Sequence, residues 1–246
     1  MRVPPIGMAR LGWRGVALGL PAATEVLALS CAICHLRKPK RFCLALHDRI
    51  CPQCCGEQRE ATLDCPSECP YLQQARQHDQ RREPGELPAE GLFPEVELTH
   101  AAFERGQMLI AGLVQTLGQV ARADRQLKDR EVIAALSKLA GSYRTLVASG
   151  LLYQEATANP AQLAILDALE QSLRQYREVE RQHLGQAALS GREVLQALVF
   201  LLRLAHRHSS GRPLARGFVD FVQESSAASG EPLEGAAGSA SRIILP

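Results

Sequence analysis

All eight cysteines of this 246-residue chain fall between Cys31 and Cys69. Their order is Cys31-x2-Cys34-x8-Cys43-x7-Cys51-x2-Cys54-Cys55-x9-Cys65-x3-Cys69. Such crowding suits either four disulfides or two four-thiolate metal sites. Disulfide scaffolds spread their cysteines through a small domain and need an oxidising compartment. Here the cysteines sit beside a long cysteine-free remainder, which favours metal. Two Cys-x-x-Cys pairs at this separation are the spacing of structural zinc, because each tight turn presents two sulfurs to one tetrahedral ion. Zinc is the expected ion, two per chain. Sites made of cysteine alone leave no open coordination position, so their expected role is folding rather than catalysis.

The natural division gives Cys31, Cys34, Cys51 and Cys54 to one ion and Cys43, Cys55, Cys65 and Cys69 to the other, an interleaved cross-brace. The division is open at one point, because His47, four residues after Cys43, could replace a cysteine. His35, beside Cys34, reads as a knuckle residue. Residues 31–82 carry nine Lys+Arg and six Asp+Glu. Eight thiolates and two zinc ions would bring that module close to neutral.

Four basic groups stand in Arg37-Lys38-Pro39-Lys40-Arg41. They could meet nucleic-acid phosphates or an acidic partner. The favoured reading is that they shield the doubly negative ZnS4 centres, since interleaved aromatics for base stacking are missing. Phe42 reads as a packing residue. Cys54-Cys55-Gly56 resembles the Cys-Cys-Gly of certain iron–sulfur redox subunits, but those have longer spacers than the nine residues between Cys55 and Cys65. An iron–sulfur or thiol redox sensor stands as an alternative to zinc.

The elements that must hold these cysteines follow from periodicity. A helix is expected from Pro70 and is followed by a Pro-, Gly- and Glu-rich linker over 83–94. From 95 to 224 the apolar residues recur at helical steps. Leu98 to Val120, Val132 to Leu146, Leu166 to Tyr176 and Leu195 to Ala205 mark four helices, and a short fifth surrounds Phe218 and Phe221. Asn159-Pro160 opens the third and Ser190 with Glu193 the fourth, at capping-box spacing. The expected fold is mainly α: a small N-terminal double-zinc module followed by a C-terminal antiparallel helical bundle. Residues 1–30 read as a disordered or over-extended N-terminus with a poor secretory signal. Residues 225–246 read as a disordered tail.

Ile50-Cys51-Pro52-Gln53-Cys54-Cys55-Gly56, then Asp64-Cys65-Pro66 and Cys69-Pro70-Tyr71-Leu72, resembles a module of uncharacterised bacterial cysteine-rich proteins. The resemblance continues in Ser149-Gly150-Leu151-Leu152-Tyr153-Gln154-Glu155 and Gly217-Phe218-Val219-Asp220-Phe221, covering roughly residues 31–222. It implies a bacterial cytoplasmic protein and no particular activity or ligand.

The whole-chain charge of +2 does not drive the molecule onto nucleic acid or anionic lipid. No run is long and apolar enough to span a membrane. No phosphate loop, nucleophile elbow or His-Glu-x-x-His motif occurs. Asp124, Asp129 and Glu131, alternating with Arg125, Lys128 and Arg130, read as a solvated helix start. His206 and His208 read as cations favoured at a helix C-terminus. The function expected is therefore non-enzymatic: a zinc module fixing a docking surface, with a bundle for self-association or an unknown protein partner.

Overall fold

The computed structural model describes residues 30–81, 92–151, 153, 156–184 and 189–228. Nearly all of the N-terminal segment, residues 83–91 of the linker, the end of the tail, and Leu152, Gln154 and Glu155 of the resemblance lie outside those residues. The described chain is mainly helical, with seven helices and two short strands.

The cysteine-rich part opens with a turn over Cys31–His35, closed by the His35 N–H donating to the Cys31 carbonyl at 2.8 Å. A hairpin follows, β1 (Arg41–Cys43) antiparallel to β2 (Asp48–Ile50), with Arg41 opposite Ile50 and Cys43 opposite Asp48. Helix α1 (Pro52–Gln58) leaves the hairpin directly. Pro52 suits its first turn because the missing N–H has no intrahelical acceptor there anyway. Helix α2 (Pro70–Arg81) completes this part.

The bundle comprises α3 (His100–Ala123), α4 (Asp129–Ser149), α5 (Pro160–Leu184), α6 (Gly191–His208) and α7 (Gly217–Ala228). Thr99 caps α3 by accepting the Ala102 N–H, and Asn159 Oδ1 accepts from Ala161 and Gln162 at the start of α5. Ser190 and Glu193 form the expected capping box, each side chain accepting the other's backbone N–H. Gly150 ends α4 at φ 75°, a left-handed conformation that glycine adopts without a Cβ penalty. The packing is chiefly α4 on α6 and α3 on α7, around Leu113, Leu117, Leu136, Leu169, Leu198 and Phe218.

Three expectations need correction. Leu92 and Phe93, expected in the linker, are buried in the bundle core. Arg203, the one charge in the apolar stretch of α6, donates to the carbonyls of Leu92, Phe93 and Val96 and so fixes that segment. The last helix does not stop at 224 but continues to Ala228, with Ser226 buried where α7 crosses α3 at Gly118. The start of α4 is not solvated: Lys128, Asp129 and Glu131 are all buried.

Asp129 accepts the Phe218 and Val219 N–H groups at the start of α7, at 3.1 and 3.0 Å. Burial raises its pKa above the usual carboxylate value, against those bonds. Among the described residues, no helix is long and apolar enough to cross a membrane.

Candidate metal centre

The Sγ atoms of Cys31, Cys34, Cys51 and Cys54 all lie within 4.8 Å of one another. Two local structures bring them together. The first Cys-x-x-Cys pair sits on the turn that ends at His35, whose φ of 53° reverses the chain just after Cys34. The second pair is built into α1. Cys51 is its N-cap and accepts the Cys54 N–H at 3.4 Å, and Cys54 lies three residues on, facing the same side. The hairpin joins the halves, and the Cys51 N–H donates to Cys31 Sγ at 3.2 Å. All but Cys34 of the four are buried.

These sulfurs do not titrate alike. Burial raises Cys31, but N–H groups of Cys34, Cys51 and Ile33 outweigh it and bring the thiol down to about 6. Burial, then the Cys51, Cys34 and Cys31 sulfurs, pushes Cys54 up to about 12. Backbone N–H groups of Leu36 and Arg37 lower Cys34 as well, whereas negative charge at Cys54 is resisted by sulfur already present. A bound dication removes that repulsion, and four sulfurs within 4.8 Å suit a closed tetrahedral metal site.

The basic loop attends the cysteines. Arg37 is raised above the usual arginine value first by a side-chain hydrogen bond to Cys51, with Cys34 and Cys54 adding attraction. Arg41 donates to Cys55 Sγ at 3.4 Å and lies 4.6 Å above the Tyr71 ring. Arg37 and Arg41 thus lie beside cysteine sulfur. Lys38 and Lys40 are exposed.

The other four cysteines surround the same hairpin and helix. Cys43 ends β1, Cys55 follows Cys54 on α1, and Cys65 and Cys69 precede α2. Burial raises Cys65, with Cys69, Cys43 and Glu60 adding repulsion. Among the described residues, only the first four meet at ligand spacing. His47 is exposed and outside that group, at φ 53° in the hairpin turn. His35 holds the knuckle position expected of it. Phe42 is not a packing residue but 49% exposed, opposite Arg49 across the hairpin.

Residues elsewhere that could have done chemistry have structural partners. Arg177 donates to the Tyr143 hydroxyl, Arg174 pairs with Glu170, and Arg144 pairs with Glu95 above the Phe93 ring. His206 and His208 stand in the last turn of α6. Burial lowers both below the usual histidine value, and His208 packs 4.3 Å from the Phe221 ring.

A polar cluster that the spacing of the cysteines does not announce joins this part to the bundle. Glu60 and Asp220, both buried, share Arg76 at 2.9 and 2.7 Å, and Lys128 pairs with Asp64 at 2.6 Å. The signal was the run of charges between Cys55 and Cys65 and in the last helix, but partners so distant in sequence have no local pattern. No family model, curated protein or solved structure matches the chain.

Proposed function

We propose that the chain is a non-enzymatic zinc protein in which metal-stapled cysteines fix one end of a helical protein-interaction domain. The observation that carries this is the four-sulfur group of Cys31, Cys34, Cys51 and Cys54. Four thiolates fill a tetrahedral ion and leave no position for substrate or activated water. Zinc suits such a site because it has no redox chemistry and favours thiolate in closed geometry. A second zinc takes Cys43, Cys55, Cys65 and Cys69, with Arg41 compensating the charge at Cys55. The bundle meets another protein or a second copy of itself, in a cytoplasm that keeps the thiols reduced.

Nucleic-acid binding is weaker as a reading, because Arg41 donates to Cys55 Sγ and lies over the Tyr71 ring. Cobalt(II) titration of the metal-stripped full chain tests the proposal. Two equivalents should give the intense sulfur-to-cobalt absorption of tetrahedral thiolate sites, and added zinc should bleach it. Absorption typical of cobalt bound to oxygen and nitrogen would refute it.

A further inference from the structure

The connection between α6 and α7 holds the cysteine-rich part from outside. Arg212 donates to the carbonyl of Gly56 at 2.8 Å and to that of Arg59, and so caps the C-terminal end of α1. Those are carbonyls that a helix end leaves without intrahelical donors. The Leu214 N–H donates to the Glu60 carbonyl at 2.8 Å, and Ser210 Oγ donates to the Glu60 carboxylate at 2.7 Å. Glu60 stands midway between Cys55 and Cys65 with φ 53°, and its side chain is buried.

The same connection sets the start of α7. Arg216 donates to the Leu127 carbonyl at 2.7 Å, and the Asp129 N–H donates to the Ala215 carbonyl at 2.9 Å. Asp220 of α7 is held by Arg76 and by Ser67, both from the cysteine-rich part, at 2.7 Å each. Gly217 has no room for a Cβ, which would lie 2.1 Å from the His208 carbonyl oxygen.

From these contacts we infer that metal occupancy of the cysteine-rich part is relayed to α7 through a clasp made by Arg212, Ser210 and Glu60. The inference rests on the zinc reading above. Helix α1 is only seven residues long and carries Cys54 and Cys55. A helix so short does not persist in water without tertiary support, so metal loss unwinds it. Its end carbonyls then no longer present themselves to Arg212, and Glu60 leaves its place. Asp220 and Arg76 lose their geometry, and α7 detaches from α3. The metal thereby controls whether the α3 face around Gly118 and Ala121 is covered.

Hydrogen exchange read by mass spectrometry on the full chain tests the relay, in three samples whose metal content is also measured. Wild type with metal should protect α7. Wild type stripped by chelator under reducing conditions should exchange in α7 about tenfold faster or more, while α4 and α6 keep their protection. Metal-loaded Arg212→Ala should show the α7 loss with unchanged metal content, and Ser210→Ala a smaller one. Metal present but α7 indifferent to its removal overturns the relay, as does loss of protection throughout the bundle. Failure of the zinc reading would appear differently, as no metal in the first sample.

Discussion

Cys54 and Cys55 are neighbours in the chain and on one turn of α1, yet their sulfurs serve different partners. Cys54 belongs to the group with Cys31, Cys34 and Cys51, whereas Cys55 accepts from Arg41 on β1. Consecutive helical positions point about 100° apart, so one short helix can serve two centres. The proposed second ion uses this divergence. Replacing Cys34 or Cys54 with Ser should lower the zinc content by one ion per chain and leave the second centre loaded. So should Cys65→Ser or Cys69→Ser, with the first centre retained. Elemental analysis of each variant reads the outcome. Loss of both ions from every variant would mean a single shared centre.

Arg41 lies between a sulfur and an aromatic ring, at 3.4 Å from Cys55 Sγ and 4.6 Å from the Tyr71 centroid. Arg41→Ala should weaken zinc retention against a chelator about tenfold, the scale of losing an outer-sphere partner of a ligand. Lys38→Ala, at an exposed neighbour, should change nothing. Competition with a chromophoric chelator separates the two.

Gly118 is where α3 and α7 approach most closely among the positions a Cβ would fill. A Cβ there would stand 2.1 Å from Ser226 Oγ and 2.7 Å from the Val222 carbonyl oxygen. The hydroxyl can turn away, but the backbone carbonyl cannot without moving α7. Gly118→Ala should cost about 1–3 kcal/mol, the scale of overpacking. Urea denaturation measures it, and the neighbouring Gly112→Ala, which meets nothing within 4 Å, is the control.

Asp129 supplies the acceptor for two N–H groups at the start of α7. Asp129→Ala leaves both without a partner and should cost about 1–3 kcal/mol. Asp129→Asn keeps the Oδ1 acceptor and removes a buried charge, so it should cost less. Equal losses in the two variants would contradict the capping role.

His206 and His208 set a pH dependence. Burial lowers both in the folded protein, so the unfolded chain binds protons first as pH falls. Their contribution is intact above the unfolded value of about 6.5 and is lost progressively below it, toward the lowered folded values. The raised Asp129 acts in the opposite sense, since its folded form binds the proton more readily and acid relieves its burial. Urea midpoints of the metal-loaded protein at about pH 7.5 and about pH 5.5 should therefore fall less in His206→Gln/His208→Phe than in wild type. An unchanged difference would remove the histidines from the account.

The parts of this fold with local causes were legible in the sequence. Cys31, Cys34, Cys51 and Cys54 meet as their spacing requires, and Ser190 with Glu193 caps α6 as its motif requires. Asp129 was not legible. Alternating charges suggest a solvated surface, and nothing near Asp129 reveals that its partners are the N–H groups of Phe218 and Val219. The docking of the cysteine-rich part on the bundle was hidden for the same reason. Arg76 finds Asp220 only after four intervening helices have packed. Leu92 and Phe93 were hidden differently: a Pro- and Gly-rich context suggested a linker, while the bundle core and the Arg203 side chain that hold them lie far along the chain.

Elemental analysis of the full chain, purified untagged and without chelator and assayed together for acid-labile sulfide, tests the central claim most directly. The account predicts about two zinc ions per chain and no sulfide. Iron with sulfide would contradict it and make electron transfer the leading function, and a metal-free protein with oxidised thiols would contradict it in favour of a disulfide scaffold.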